Sequence, residues 1–161
     1  MKKTRVLVLF DTDGDPPAAQ EYKKELESSE EAEFDVARAL VSKGHEVRFL
    51  GFKGDLDQLT QGLRAAPADV VFNLTERFRD QSALDYTVAA VLEMLDMPYT
   101  GASCEGLMLA RDKALTKKVL AYEGIRIPHF MVCKQGATLT RPSDLRFPLI
   151  VKPLDEDASV G

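Results

Sequence analysis

Apolar and polar positions along the chain follow two periods in alternation. Val6-Leu7-Val8-Leu9-Phe10 is an unbroken apolar run of strand formers. That pattern predicts a central parallel strand buried on both faces. Asp11-Thr12-Asp13-Gly14-Asp15-Pro16-Pro17 breaks it, and residues 18–33 are polar and acidic, part helix and part loop by their pattern. Phe34, Ala37, Leu40 and Val41 recur at helical spacing, which predicts a helix over Glu33–Lys43 closed by Gly44. His45 to Leu50 then alternates as a second strand. Strand, helix, glycine, strand is the signature of a parallel crossover unit.

The same alternation continues downstream. Asp57–Ala65 reads as a short helix with Leu59 and Leu63 inward, and Asp69–Leu74 as a third strand. A polar loop runs through Asp80. Ser82–Leu95 reads as a helix with Leu84, Val88, Val91, Leu92 and Leu95 on one face, and Pro98–Gly101 as a short fourth strand. Two helical pieces follow, Cys104–Ala110 and Asp112–Tyr122, the second capped by Asp112 and ended by Gly124. Pro128–Cys133 and Leu149–Lys152 read as strands with no covering helices after them. Two strands alone rarely bury enough surface. The pattern therefore predicts an α/β parallel-sheet domain over 1–125 and the start of a second unit over 126–161.

Composition narrows the function classes. The 161 residues carry 26 acidic and 21 basic side chains, a net charge of -5. No basic footprint for a nucleic-acid backbone is present, so nucleic acid is not expected as a partner. Cys104 and Cys133 lie far apart in no metal spacing, and His45 and His129 have no partner at ligand spacing, so no metal site is assigned. The apolar run after Met1-Lys2-Lys3-Thr4-Arg5 is too short for a signal-peptide core, and no stretch approaches membrane-spanning length. A cytoplasmic protein without a membrane partner is the expectation.

Two places carry candidate chemistry. The glycine-rich turn of a dinucleotide-binding fold is absent after the first strand, where Gly14 stands alone. Phe10-Asp11-Thr12-Asp13-Gly14 resembles the first motif of haloacid-dehalogenase-type phosphatases, in which an aspartate accepts a phosphoryl group and a second acts as acid and base. It departs from that motif at Asp15, and no paired acidic motif follows late in the chain. The second place is Phe147-Pro148-Leu149-Ile150-Val151-Lys152-Pro153, followed by Leu154-Asp155-Glu156-Asp157-Ala158-Ser159-Val160-Gly161. A strand that delivers a lysine beside a small polar loop suits a phosphate, because lysine supplies charge and small side chains let backbone N–H groups approach. A surface strand with a frayed tail is the plain alternative.

Several markers taken together resemble one family. They are Leu92–Gly101, Arg111-Asp112-Lys113 with Leu115-Thr116-Lys117, Gly124–Pro128, Phe147–Pro153 and Glu156–Gly161. In this order and at about this spacing they resemble the D-alanine–D-alanine ligase group of ATP-grasp enzymes, clearly from Asp69 onward and more loosely before it. The resemblance implies that 1–125 is the N-terminal α/β pre-ATP-grasp substrate domain and 126–161 the start of a truncated ATP-grasp nucleotide-binding domain. It implies ATP and Mg2+ as cofactors, with the metal ligands in a missing C-terminal part. It also implies amino-acid or carboxylate substrates, an acyl-phosphate intermediate and a homodimer. Lys113 and Lys152 match lysines that contact the nucleotide phosphates, and Glu156, Ser159, Val160 and Gly161 match the loop over the triphosphate.

Two departures bear on the substrate. Ala158 stands where the D-alanine ligases have serine, a version closer to uncharacterised relatives of those enzymes. After the third strand the chain has Asn73-Leu74-Thr75-Glu76-Arg77-Phe78 in place of the family's histidine-glycine motif. Glu76 and Arg77 would face the cleft at the C-terminal end of a parallel strand, reading an amine and a carboxylate respectively, or would form a solvated loop pair. Glu33 stands near the place of the family glutamate that orients the first substrate. It also fits an ordinary acidic residue in a helix's first turn. The expectation is an ATP-dependent carboxylate–amine ligase whose 161 residues are inactive alone. A haloacid-dehalogenase-like phosphatase using Asp11 and Asp13, or a non-catalytic α/β association domain, is the alternative.

Overall fold

A computed structural model describes residues 3–16 and 21–154, without the side chains of Glu21 and Lys23. They form two compact units, 1–104 and 105–161 as the chain divides, a division that falls upstream of the boundary expected near residue 125.

The first unit is built on β1 (Arg5–Asp11). β1 lies in the middle of a parallel sheet, flanked by β2 (Glu46–Phe52) and β3 (Val70–Asn73) in the order β2-β1-β3. The register pairs Arg5 with Glu46 and Asp11 with Phe52 on one side, and Val6 with Val70 and Leu9 with Asn73 on the other. All five residues Val6 to Phe10 are buried. Successive side chains leave opposite faces of the sheet, so each face gets its own core. Leu7 and Leu9 pack with Phe52, Leu59, Val71, Val88 and Leu92, and Val8 and Phe10 pack with Tyr22, Phe34 and Ala37.

Helices cover each face accordingly. α1 (Glu21–Ser28) and α2 (Ala32–Ser42) supply Tyr22, Phe34 and Ala37. Tyr22 stacks on Phe49 at 5.1 Å and accepts a hydrogen bond from the Gly51 N–H at 3.2 Å. α3 (Leu56–Ala65) supplies Leu59 and Leu63 to the other face, and Asp55 caps it by accepting from the Gln58 N–H. The helix expected over Ser82–Leu95 is a short 3-10 turn, Ser82–Leu84, followed by α4 (Tyr86–Met94). The fourth strand is reduced to one parallel bridge, Val71 to Tyr99, with Val71 N–H donating to Pro98 O and Thr100 N–H to Val71 O.

The segment after β3 turns sharply at Arg79 and Asp80, both with positive φ (53° and 57°). Phe78 packs against Phe52, and a Cβ on Gly54 would stand 2.6 Å from the Arg79 backbone. The turn is thus held against the β2–α3 connection.

The second unit contains most of α5 (Cys104–Arg111) and all of α6 (Lys113–Tyr122). Asp112 caps α6 by accepting the Ala114 and Leu115 N–H groups at 2.9 and 2.8 Å, and Gly124 follows with φ 75°. The strands expected over Pro128–Cys133 and Leu149–Lys152 do not form: neither stretch joins a ladder or takes a regular secondary structure. An extended segment becomes a strand only when a neighbour takes its N–H and C=O groups. Ile150 and Val151 are 83% and 96% exposed, so none of the described residues covers them. No helix of the described residues is long and apolar enough to cross a membrane.

Gly54 and Gly44 both have positive φ (59° and 85°), but nothing lies within 4 Å of a Cβ on Gly44. Gly44→Ala should therefore lose only the left-handed penalty, about 1–2 kcal/mol. Gly54→Ala should lose clearly more, because the Arg79 backbone must also move. Urea unfolding of the two variants checks this, and equal losses would contradict the packing described.

Candidate substrate cleft at the ends of the parallel strands

Parallel strands with crossover helices present their C-terminal ends together, and ligands of such sheets bind there. In the first unit that edge holds a cleft of about 630 Å3. Its walls are Phe10 to Asp15 at the end of β1, Glu31 to Phe34 at the start of α2, Glu25 of α1, and Arg77 after β3. Among the described residues, six carboxylates line it against one guanidinium: Asp11, Asp13 and Asp15, with Glu25, Glu31 and Glu33.

Arg77 organises the acidic wall. Its Nε donates to Asp11 Oδ2 at 2.7 Å and its Nη2 to Asp13 Oδ1 at 2.5 Å. The Glu76 backbone N–H donates to the other oxygen of Asp11 at 2.7 Å. Asp11 is 11% exposed and Asp13 84% exposed. The outer pair is solvent-screened and worth under about 1 kcal/mol, so the inner charge-assisted bonds dominate. These bonds hold the arginine's basic form more firmly, chiefly through the Asp11 hydrogen bond.

This geometry disfavours the phosphatase alternative. A nucleophilic carboxylate needs an available oxygen lone pair directed at the phosphoryl group. Both oxygens of Asp11 instead accept hydrogen bonds from the segment after β3.

Glu33 lies in the first turn of α2, half-buried in the cleft wall. Burial pushes its carboxyl above the ordinary 4.5, its own backbone N–H opposes this, and the charges of Glu31 and Asp11 add to the rise. The cleft therefore holds a carboxylate that gains from a neighbouring positive charge. Glu76 is exposed and is not among the residues that line the cleft, which it reaches only through its backbone N–H to Asp11. The structure brings Glu33, Glu76 and Arg77 to one end of the sheet. Sequence reasoning offered Asp11 and Asp13 as a phosphatase motif or as a turn that caps and solvates a strand end, and missed them as Arg77's partners. The available signal was two aspartates at the end of one strand and a single arginine just past its parallel neighbour.

Elsewhere in the first unit, Glu93 accepts from the Tyr99 hydroxyl at 2.5 Å and from the Cys104 N–H at 3.0 Å. Burial, then the Glu93 bond, pushes the Tyr99 hydroxyl up to about 12.

The nucleotide candidates lie in the second unit. Lys113 opens α6, where its backbone N–H and its Nζ both reach the Leu154 carbonyl, at 3.2 and 3.5 Å. The helix start thus meets the segment that carries Lys152, which is exposed. Glu156, Ser159, Val160 and Gly161 lie outside the described residues. No group of three or more His, Cys, Asp or Glu among the described residues could hold a metal ion.

Comparison with known proteins gives the class first. The fold is that of a solved D-alanine–D-alanine ligase from Bacillus anthracis complexed with ATP, with a TM-score of 0.59 at 19% identity over 87% of this chain and 41% of that one. Among curated proteins, the chain is 37% identical over 129 residues to the D-alanine–D-alanine ligase of Syntrophotalea carbinolica, and 33% over 126 residues to that of Aquifex aeolicus. It is 38% identical over 133 residues to an uncharacterized protein, y4sG, of Sinorhizobium fredii. Each match covers 78% of this chain, which spans only 38 to 41% of the length of these relatives. No family model matches the chain. The chain is a D-alanine–D-alanine ligase-like member of the ATP-grasp group.

The raised Glu33 carboxyl has a signed consequence. The folded state holds this proton more tightly than the unfolded chain, so stability falls as pH rises through 4.5 and past the folded value. Glu33→Gln removes that loss. The variant should melt at a higher temperature than the parent at pH 7, and the advantage should vanish well below pH 4.5, as thermal scans at the two pH values would record. A lower melting temperature at pH 7 would contradict the burial of this charge.

Proposed function

We propose that this chain supplies the N-terminal part of an ATP-dependent carboxylate–amine ligase in the cytoplasm. In this reading the first unit recognises an amino-acid or carboxylate substrate, and the second begins the nucleotide site. What carries it is the relationship to D-alanine–D-alanine ligases over 78% of the chain, joined to an acidic cleft at the ligand-binding edge of the sheet. The reaction class follows from the chemistry that such ligation requires. A carboxylate oxygen attacks the γ-phosphorus of ATP and ADP leaves, giving an acyl phosphate. An amine then attacks the acyl carbon, phosphate leaves, and the amine nitrogen gives up a proton. Phosphorylation turns a poor leaving oxygen into a good one, and positive charge around the transferred group stabilises the transition state.

The residues take distinct parts in this reading. Glu33 accepts the ammonium group of the first substrate, with Glu76 outside the cleft lining. Arg77 is already bonded to two carboxylates, so it serves the cleft wall rather than a substrate carboxylate. Lys113 and Lys152 meet the nucleotide phosphates, with the segment Glu156–Gly161 closing over them. Magnesium accompanies ATP in such reactions; the described residues offer it no ligand set, and no step here runs through it. Residues 126–161 begin the nucleotide-binding domain, and a homodimer through the first unit completes the assembly.

The test uses a protein in which the chain continues through the length its relatives have. ADP release should depend on one or a few members of a panel of D- and L-amino acids. Lys152→Ala should reduce it by about 100-fold or more, the scale of losing one charge-stabilising donor. The 161 residues alone should release no amino-acid-dependent ADP. Turnover indifferent to every amino acid would remove the amino-acid ligase reading and leave the fold intact.

A further inference from the structure

Among the described residues Arg77 is the lone guanidinium of an otherwise acidic cleft, and its position is built rather than incidental. Phe78 packs on Phe52, the Arg79–Asp80 turn takes two left-handed residues, and Gly54 alone leaves room for the Arg79 backbone. Non-glycine residues adopt that conformation at a cost, which surrounding structure must offset. The result is a rigid segment that delivers Arg77 between Asp11, at the end of β1, and Asp13, two residues further on. Thr12 is separately fixed, its N–H donating to Phe52 O at 3.0 Å and its hydroxyl to Gly14 O at 2.7 Å.

We propose that Arg77 is a positioning residue of the cleft: it pins the Asp13–Asp15 loop to the segment after β3 and neutralises Asp11, leaving Glu33 as the acceptor for a cationic group. The neutralisation is geometric. Nε and the Glu76 N–H occupy both oxygens of Asp11, the carboxylate whose charge reaches Glu33. Among the described residues, the charged groups that line the cleft with Glu33 are Glu31 on its own helix, Asp11, Asp13 and Asp15 from the end of β1, Glu25 from α1, and Arg77. Of these Arg77 alone is positive, so its removal changes the field at Glu33 in one direction. The consequence for substrate rests on the ligase reading above, whereas the clamp itself is tested without any ligand.

The experiment follows the Glu33 carboxyl by carbon-detected NMR against pH in the 161-residue chain, with backbone order parameters from NMR relaxation at residues 13–15. In Arg77→Met the Glu33 midpoint should move further upward, because Asp11 is left uncompensated, and the order parameters should fall. Arg77→Lys should bring the midpoint back toward the parent value, since the charge is kept, without restoring the order parameters, since the lysine point charge lacks the planar fork that bonds both carboxylates. A purely structural arginine would lower the melting temperature and leave the Glu33 midpoint unmoved, and that result overturns the proposal. Asp13→Ala removes the exposed outer bond alone and guards against unfolding of the Met variant. It should lower the order parameters at 13–15 with the Glu33 midpoint near the parent's, and unchanged order there would equally overturn the clamp.

Discussion

The first unit depends on burying one strand from both sides. Five consecutive apolar residues, Val6 to Phe10, have no polar face to turn to water, so both faces of β1 must be covered. β2 and β3 satisfy its backbone groups on either edge, and helices satisfy its two faces, α1 and α2 on one and α3 and α4 on the other. Burial of this kind is worth about 25 cal/mol for each Å2 of apolar surface removed from water, and it dominates what holds the sheet together. The run ends at Asp11, and the cleft begins where the burial stops.

That ending determines the chemistry of the edge. β1 delivers Asp11 and Asp13, the register places β3 alongside it, and the segment after β3 returns with Arg77. α2 starts beside them and contributes Glu33. Each of these groups stands on or next to a rigid element, which fixes their spacing better than a free loop would. The cleft is strongly acidic, and its one arginine is committed to the wall, so electrostatics favour a ligand that arrives with a positive group. An amino acid carries one in its ammonium.

Most of the first unit was legible in the sequence. The apolar run of β1, the helical spacing of Phe34, Ala37 and Leu40, and the Leu59–Leu63 pair all predicted elements that formed, because burial and periodicity are local signals. The caps were legible too, since Asp112 and Gly124 act through chemistry within a few residues. The strands at Pro128–Cys133 and Leu149–Lys152 were not, because apolar content alone cannot tell whether a partner edge is present. The site was half legible. Glu33 and Arg77 could be singled out by position, but the pairing of Arg77 with Asp11 spans 66 residues and depends on strand order, which no local pattern encodes. The same pairing turns an apparent phosphatase motif into a cleft wall.

The central claim is that the cleft of the first unit receives the ammonium group of an amino-acid-like substrate. The most direct test is to titrate the isotope-labelled 161-residue chain with D- and L-amino acids and map the perturbed resonances. The account predicts saturable shifts at residues 11–15, 31–34 and 76–77 that disappear when the amine is acetylated. Perturbations confined to other surfaces, or shifts that persist with the acetylated compounds, would contradict it.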